Sequence, residues 1–240
     1  LGDSESNFID GKKRVLILGN SHSQDFYLAM HLNKNIVSNY SFRIVGFKKG
    51  IENNLGGRLF LKNKLNKKNQ FEINEDFFGS ANYLNSELII LSAVIDSQKI
   101  NLLGNLLKKI TDDQKKIILL SNKQMFNFKT GKGDVVDKLI KNNPDLSSDK
   151  INYLSFKYRT NFDNINDDLK FLADKFNLQY FDTQKSVCNE EKEYCDVVQD
   201  NFVPLYRDNG HWTVEGAKLF GKRILEDGFL EVLDGMFISN

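Results

Sequence analysis

Cysteine and proline each occur only twice in the 240 residues, and histidine three times. No apolar run approaches the roughly 20 residues needed to span a bilayer. With so little proline there is no Pro-rich linker to mark a domain boundary, and one large domain is the simpler reading. One sign of charge is not in excess either: 33 Lys and Arg against 32 Asp and Glu give a net charge of +1. The balance offers no argument for a nucleic-acid partner. The densest basic run, KNKLNKK at Lys62 to Lys68, reads as solvated surface. No second cysteine pair and no histidine cluster supplies a zinc spacing, so no metal is expected. The chain opens on Leu1, and LGDSESNFIDGKK has no signal-peptide core. It reads as a processed protein or part of a longer one, with residues 1–13 an extension or linker and 14–240 one domain.

What is there is ordinary globular composition, 40% hydrophobic and 27% charged, enough to bury a sizeable core. Short apolar runs alternate with longer amphipathic ones. Arg14–Leu18, Phe42–Phe47, Glu87–Leu91, Lys116–Leu120 and Leu178–Phe181 read as strands. The most apolar of these are nearly continuous, as in strands covered on both faces. Ile100, Leu103, Leu106, Leu107 and Ile110 share one helical face, and Ile165, Leu169, Leu172 and Phe176 another. A last helix follows Thr213, its N-cap, with Ala217, Phe220 and Ile224 inward. The alternation predicts a three-layer α/β/α sandwich around a mostly parallel five-stranded sheet.

Ligands of such sheets bind outside the carboxyl ends of the strands. VLILGNSHS, Val15 to Ser23, ends an apolar strand on Gly19, Asn20 and Ser21. A helix starting near Ser23 would turn the amides around Ser21 to Gln24 outward, toward an oxyanion or a phosphate. Taken alone, the segment also fits a plainer role, in which Ser21 or Ser23 caps the helix. YRDNGHWTVEGAKLF shifts the balance, because it sets Asp208 three residues before His211. A serine nucleophile needs a base, and the base needs a partner that fixes its tautomer. Trp212 would shield the histidine from water, and His22 is a second candidate for substrate contact. His31 reads as structural or exposed. The order Ser, Asp, His also occurs in α/β-hydrolases, but their G-x-S-x-G elbow is not matched by Gly19-Asn20-Ser21-His22-Ser23.

Cys188 and Cys195 stand six residues apart in a polar loop, a poor place for two core thiols. The spacing suits a small disulfide loop, and hence an oxidising compartment, rather than a redox pair. The stretch from Asp182 to Trp212 shows no periodicity and reads as a long functional loop tied down by this bridge. By position, its Asp182 to Tyr206 part and the region from Gly50 to Phe78 are placed to shape a cleft.

ILGNSHS resembles the first block, usually G-D-S, of SGNH (GDSL-like) hydrolases, and DNGHWT resembles their last block, D-x-x-H. The likeness is strongest to SGNH domains attached to membrane O-acyltransferases of bacterial surface glycans. There a cysteine pair precedes a segment matched here by Leu205, Tyr206, Asp208, His211, Thr213, Gly216 and Ala217. The resemblance implies Ser21 as nucleophile, His211 as base and Asp208 as its orienting partner. It implies an oxyanion hole from the Ser21 amide and a glycine after the second strand, with Gly46, Gly50 and Gly56 all candidates. Asn20 departs from the usual Asp, and SAVIDSQ lacks the third-block Asn. The implied activity is transfer of an acyl group, most simply acetyl, through a serine ester onto a cell-surface polysaccharide. The alternatives are an esterase using the same residues, or a weakly active glycan-binding module on the same fold. The transferase reading carries no bound cofactor. It needs an acyl donor handed over by an integral-membrane acyltransferase domain upstream, and so a periplasmic or extracytoplasmic, membrane-tethered place.

Overall fold

The computed structural model describes residues 8–46, 61–63, 71–73, 75–97, 99–127, 135–142 and 144–238. Five parallel strands form the centre: β1 (Lys13–Gly19), β2 (Tyr40–Gly46), β5 (Leu88–Leu91), β6 (Lys116–Leu120) and β7 (Gln179–Phe181). Their spatial order is β2-β1-β5-β6-β7. The chain runs from β1 outward to β2 and then crosses back to β5 on the other side. The switch point of the doubly wound sheet, where the ligand crevice opens, therefore lies at the carboxyl ends of β1 and β5. Two short pairs lie outside this sheet: β3 (Leu61–Asn63) with β4 (Phe71–Ile73), and β8 (Cys188–Asn189) with β9 (Tyr194–Cys195).

Strand alternation splits the apolar residues between two cores. Val15, Ile17, Leu88, Ile90, Ile118 and Leu120 face one side, where α1 (Ser21–Leu32), α8 (Val214–Ile224) and α9 (Leu230–Ile238) pack. Leu16, Leu18, Ile89, Leu91, Ile117 and Leu119 face the other. That side is covered by α3 (Ala81–Asn85), α4 (Ile100–Asp112) and α7 (Asp163–Lys175). All twelve of these strand side chains are 2% exposed or less, so β1, β5 and β6 are each buried on both faces, which explains their unbroken apolar runs. The remaining helices are α2 (Glu75–Phe78), α5 (Val135–Asn142) and α6 (Ser148–Phe156). The predicted helical faces are the ones turned inward. Leu103, Leu106, Leu107 and Ile110 are buried on α4, Leu169 and Leu172 on α7, and Ala217, Phe220 and Ile224 on α8.

Two helices reach the site because small residues let them close in. A Cβ on Gly221 of α8 would lie 2.8 Å from the Ala29 Cβ of α1, so the two helices nearly touch. Thr213 caps α8 as expected, accepting from the Gly216 N–H at 3.0 Å. At the opposite end of the sheet, Lys13 pairs with Asp234 of α9 at 3.2 Å, and the Tyr40 hydroxyl donates to the same carboxylate. Among the described residues no helix is long and apolar enough to cross a membrane.

The long aperiodic stretch is more ordered than its sequence suggests. It carries 3-10 turns at Gln184–Ser186 and Asp200–Phe202 and the β8–β9 pair, whose two cysteines are joined by a disulfide. Asn152 of α6 anchors it, donating to the Val198 carbonyl and accepting from the Val197 and Val198 N–H groups. The polar-loop reading of the cysteines needs correction. Cys188 and Cys195 are 7% and 0% exposed and belong to the core beside α6, whose Ser155 donates to the Cys195 carbonyl, while Glu190 to Glu193 at the hairpin turn carry the polarity.

Candidate active site

The end of β1 is set by a backbone approach that leaves no room for a side chain. A Cβ on Gly19 would sit 1.8 Å from the Ser92 carbonyl oxygen, so only glycine lets β1 turn there beside the end of β5. The helix then begins two residues earlier than the sequence suggests. Asn20 is its N-cap, accepting from the His22 N–H at 3.1 Å, and Ser21 is its first helical residue. The capping role that Ser21 or Ser23 might have absorbed is filled by Asn20, and Ser23 instead donates to the Asn20 carbonyl. Asn20 also donates through Nδ2 to the Val94 carbonyl at 3.0 Å. A carboxylate could not donate that bond, which gives the departure from Asp a physical reason: the side chain ties the Ser21 turn to the loop after β5.

Ser21 is left exposed, with its hydroxyl free to face across to the far end of the chain. Its Oγ lies 2.9 Å from His211 Nε2. His211 Nδ1 in turn lies 2.8 Å from Asp208 Oδ2 and 3.0 Å from Oδ1. A carboxylate only accepts, so Nδ1 carries the proton and Nε2 is left to accept from Ser21. The three side chains that the sequence places 190 residues apart thus form one directional chain of hydrogen bonds.

The Asp208 segment is held by its own backbone. Oδ1 accepts from the Gly210 and His211 N–H groups, each at 2.8 Å. Burial by itself would raise this carboxyl, but these two bonds and the imidazole outweigh it and hold the group below the usual carboxylate range. Ladder bonds carry the segment onward: Arg207 N–H to the His211 carbonyl, and Thr213 N–H to the Leu205 carbonyl. Gly216 permits this, since a Cβ there would lie 2.0 Å from the Leu205 oxygen.

Of the remaining candidates, Gly46 ends β2 in register with Gly19, at the same edge as Ser21. Gly50 and Gly56 lie outside the described residues. The Ser21 N–H opens α1, where no earlier turn supplies a carbonyl, and the helix dipole adds partial positive charge. His22 and Trp212, considered for substrate contact, are 7% and 2% exposed and lie under the site. His31 is exposed in the last turn of α1.

Three side chains that the sequence reading passed over complete the floor of the site. Lys123 and Asp25 form a buried ion pair, and Asp25 Oδ2 also accepts from the Trp212 N–H at 3.2 Å. Lys123 lies over the Trp212 ring at 4.5 Å. Burial lowers the Lys123 ammonium to about 8 against the opposing pull of Asp25. Asn122 clamps the loops after β5 and β6, donating to the Ile95 carbonyl and accepting from its N–H, both at 2.7 Å. The one hint in sequence was SNKQ directly after β6, a polar run at a strand's carboxyl end. His22, Asp25 and His211 bring potential metal-ligating atoms within 4.8 Å of one another. They do not suit an ion. The two rings are stacked nearly parallel, so their in-plane lone pairs cannot converge, and Asp25 is committed to Lys123.

Fold and site together define an α/β domain of SGNH-hydrolase type, esterase or acyltransferase in class. The chain belongs to the family of SGNH domains fused to AT3 domains, whose model matches residues 56–226. Among solved structures it is similar to the periplasmic domain of the lipopolysaccharide acetyltransferase of Salmonella ser. Paratyphi A. That match has TM-score 0.59 and 14% identity, covering 92% of this chain and 85% of the other. It is also similar to a putative acylhydrolase from Bacteroides fragilis NCTC 9343, with TM-score 0.50 and 14% identity, covering 96% and 92%. At these identities the likenesses speak to the fold. No curated protein sequence matches the chain.

Proposed function

We propose that this domain moves an acyl group, most simply acetyl, through an ester on Ser21 onto a hydroxyl of a cell-surface glycan. The observation that carries the proposal is the Ser21–His211–Asp208 chain, with links of 2.9 and 2.8 Å, in a member of a family fused to membrane acyltransferase domains. In the first half-reaction Ser21 Oγ attacks the acyl carbonyl carbon while its proton passes to His211 Nε2. Negative charge gathers on the former carbonyl oxygen beside the Ser21 N–H, with Gly46 the second donor within the described residues. The bond to the leaving group then breaks, and that group takes the proton from His211. In the second half-reaction an acceptor hydroxyl gives its proton to His211 and attacks the Ser21 ester, and the new glycan ester leaves as Ser21 is reprotonated. Asp208 holds the His211 tautomer through both halves and stabilises the imidazolium.

Under this reading residues 14–240 are the catalytic unit and residues 1–13 lead toward an integral-membrane domain that supplies the acyl group, outside the cytoplasm. The acetyltransferase role of the Salmonella neighbour and the disulfide both support it. The likeness to an acylhydrolase favours a second reading, hydrolysis, in which water replaces the glycan hydroxyl. The test is acetyl release from 4-nitrophenyl acetate by wild type and Ser21→Ala, with and without acceptor oligosaccharide. Wild type should release nitrophenol at least 100-fold faster than Ser21→Ala and yield an acetylated oligosaccharide by mass spectrometry. Acetate as the sole product would establish hydrolysis, and equal rates for the two proteins would exclude both.

A further inference from the structure

His22 plays no part in the proton path, yet it makes the closest ring contact in the site. Its imidazole stacks on that of His211 with centroids 4.6 Å apart and planes 13° from parallel. The position is enforced from several sides. The His22 peptide N–H is held by Asn20 Oδ1. The ring lies against Gly210, where a Cβ would come within 2.9 Å of His22 Cε1, so the residue before His211 must be small. Nδ1 is buried without a protein partner. The ring borders a pocket of about 10 Å3 that Phe26, Ala93 and Leu120 line together with Ser92, Ser121 and Lys123.

We propose that His22 is a positioning residue: its uncharged ring is the platform that holds the His211 imidazole in the line joining Asp208 to Ser21. The inference rests on the reading of His211 as the base. A lone imidazole on a loop pivots about χ1 and χ2, and its bonds to Asp208 and Ser21 fix it at only two atoms. A flat ring beneath blocks the remaining swing about the line through those two atoms. The platform also has to stay neutral, because two adjacent imidazolium ions would repel. Burial pushes His22 down to about 3, with Lys123 and then His211 acting in the same direction and Asp208 and the Gly210 carbonyl opposing. Of the two stacked rings, only His211 is therefore free to take the Ser21 proton. Below, Asp25 fixes the Trp212 N–H, so the histidine is held both at its ring and at the next peptide.

The test compares wild type with His22→Phe, which keeps a flat uncharged ring, and His22→Leu, which fills the space without one. Each is measured for kcat and KM on 4-nitrophenyl acetate across pH 5–9. Each is also examined by NMR for the low-field proton of the His211 Nδ1–H bond to Asp208. His22→Leu should lose roughly 10- to 100-fold in kcat with KM within about twofold, and its Nδ1–H signal should broaden or vanish. His22→Phe should restore the signal and most of kcat. Unchanged kcat and an unchanged signal in His22→Leu would overturn the inference. So would a His22→Phe variant as impaired as His22→Leu, which would mean that a ring nitrogen and not the stack is needed. The proton signal is independent of turnover. If Ser21→Ala proved as active as wild type, the function proposed above would fail, while the NMR comparison would still decide whether His22 holds His211.

Discussion

Asp208→Asn is the substitution that most directly tests the order of hydrogen bonds in the site. The amide oxygen can go on accepting from the Gly210 and His211 N–H groups, the two 2.8 Å bonds that shape the loop. The amide nitrogen then faces His211 Nδ1 and donates to it. The imidazole must answer by carrying its proton on Nε2, which would point a donor at the Ser21 hydroxyl in place of an acceptor. Where such an aspartate is fully buried, the wrong tautomer costs about 10⁴-fold in kcat. Here the Asp208 side chain is 48% exposed, so water can soften the mismatch. A loss of about 10²- to 10³-fold follows, equivalent to about 3–4 kcal/mol in the barrier. Stability should change by only about 1 kcal/mol, because the loop bonds survive. The assay is kcat for aryl acetate hydrolysis, paired with the melting temperature. A variant within threefold of wild type would refute the directional chain. The pH dependence has a definite sign. The folded carboxyl is held below its unfolded value, so its contribution to stability is complete above the ordinary carboxylate range and is lost as pH falls through the lowered value. In urea unfolding, the stability gap between wild type and Asp208→Asn should therefore narrow between pH 6 and pH 3.

Two further outcomes follow from the floor and the flank of the site. Replacing both Cys188 and Cys195 by serine opens an eight-residue loop. This should cost about 2.5 kcal/mol, a drop of roughly 5–10 °C in Tm, and a Tm equal to wild type would deny the bridge a stabilising role. Lys123→Met alone strands the Asp25 carboxylate and should cost about 3–5 kcal/mol in urea unfolding. Adding Asp25→Asn should recover most of that, whereas simple additivity of the two would show that the pair is not coupled.

The sheet could be read almost strand by strand because both of its faces are covered. Val15 to Leu18 and Leu88 to Leu91 are apolar without alternation, and nothing polar competes for those positions. The helical faces of α4 and α8 followed from the same burial. The serine, aspartate and histidine were legible because each stands at a strand or helix end, where side chains are delivered rather than packed. The cap was misassigned because Asn, Ser and Ser at positions 20, 21 and 23 are all good N-caps, and only the approach of Ser92 to Gly19 decides where the helix starts. Asp25, Lys123 and Asn122 were missed because charged and polar residues near helix and strand ends ordinarily face water, and here a third element covers them. The cysteines were placed in a polar loop because burial of a hairpin is decided by what packs over it, here α6, whose Ser155 donates to the Cys195 carbonyl from forty residues back.

Strand β1 spans seven residues, about 20 Å from Lys13 to Gly19. Lys13 marks the end where the chain enters, stitched to Asp234 of the last helix, and Ser21 stands just beyond the other end. The Lys13 end and Ser21 thus lie at opposite ends of one rigid rod. If a membrane partner hands over the acyl group from the Lys13 side, the domain cannot receive it while standing with that end toward the donor. It has to lie over or swing round so that the carboxyl edge of the sheet faces the donor, and swing back to offer the ester to a glycan. Loading and unloading would then be separated in space by a rotation of the whole domain.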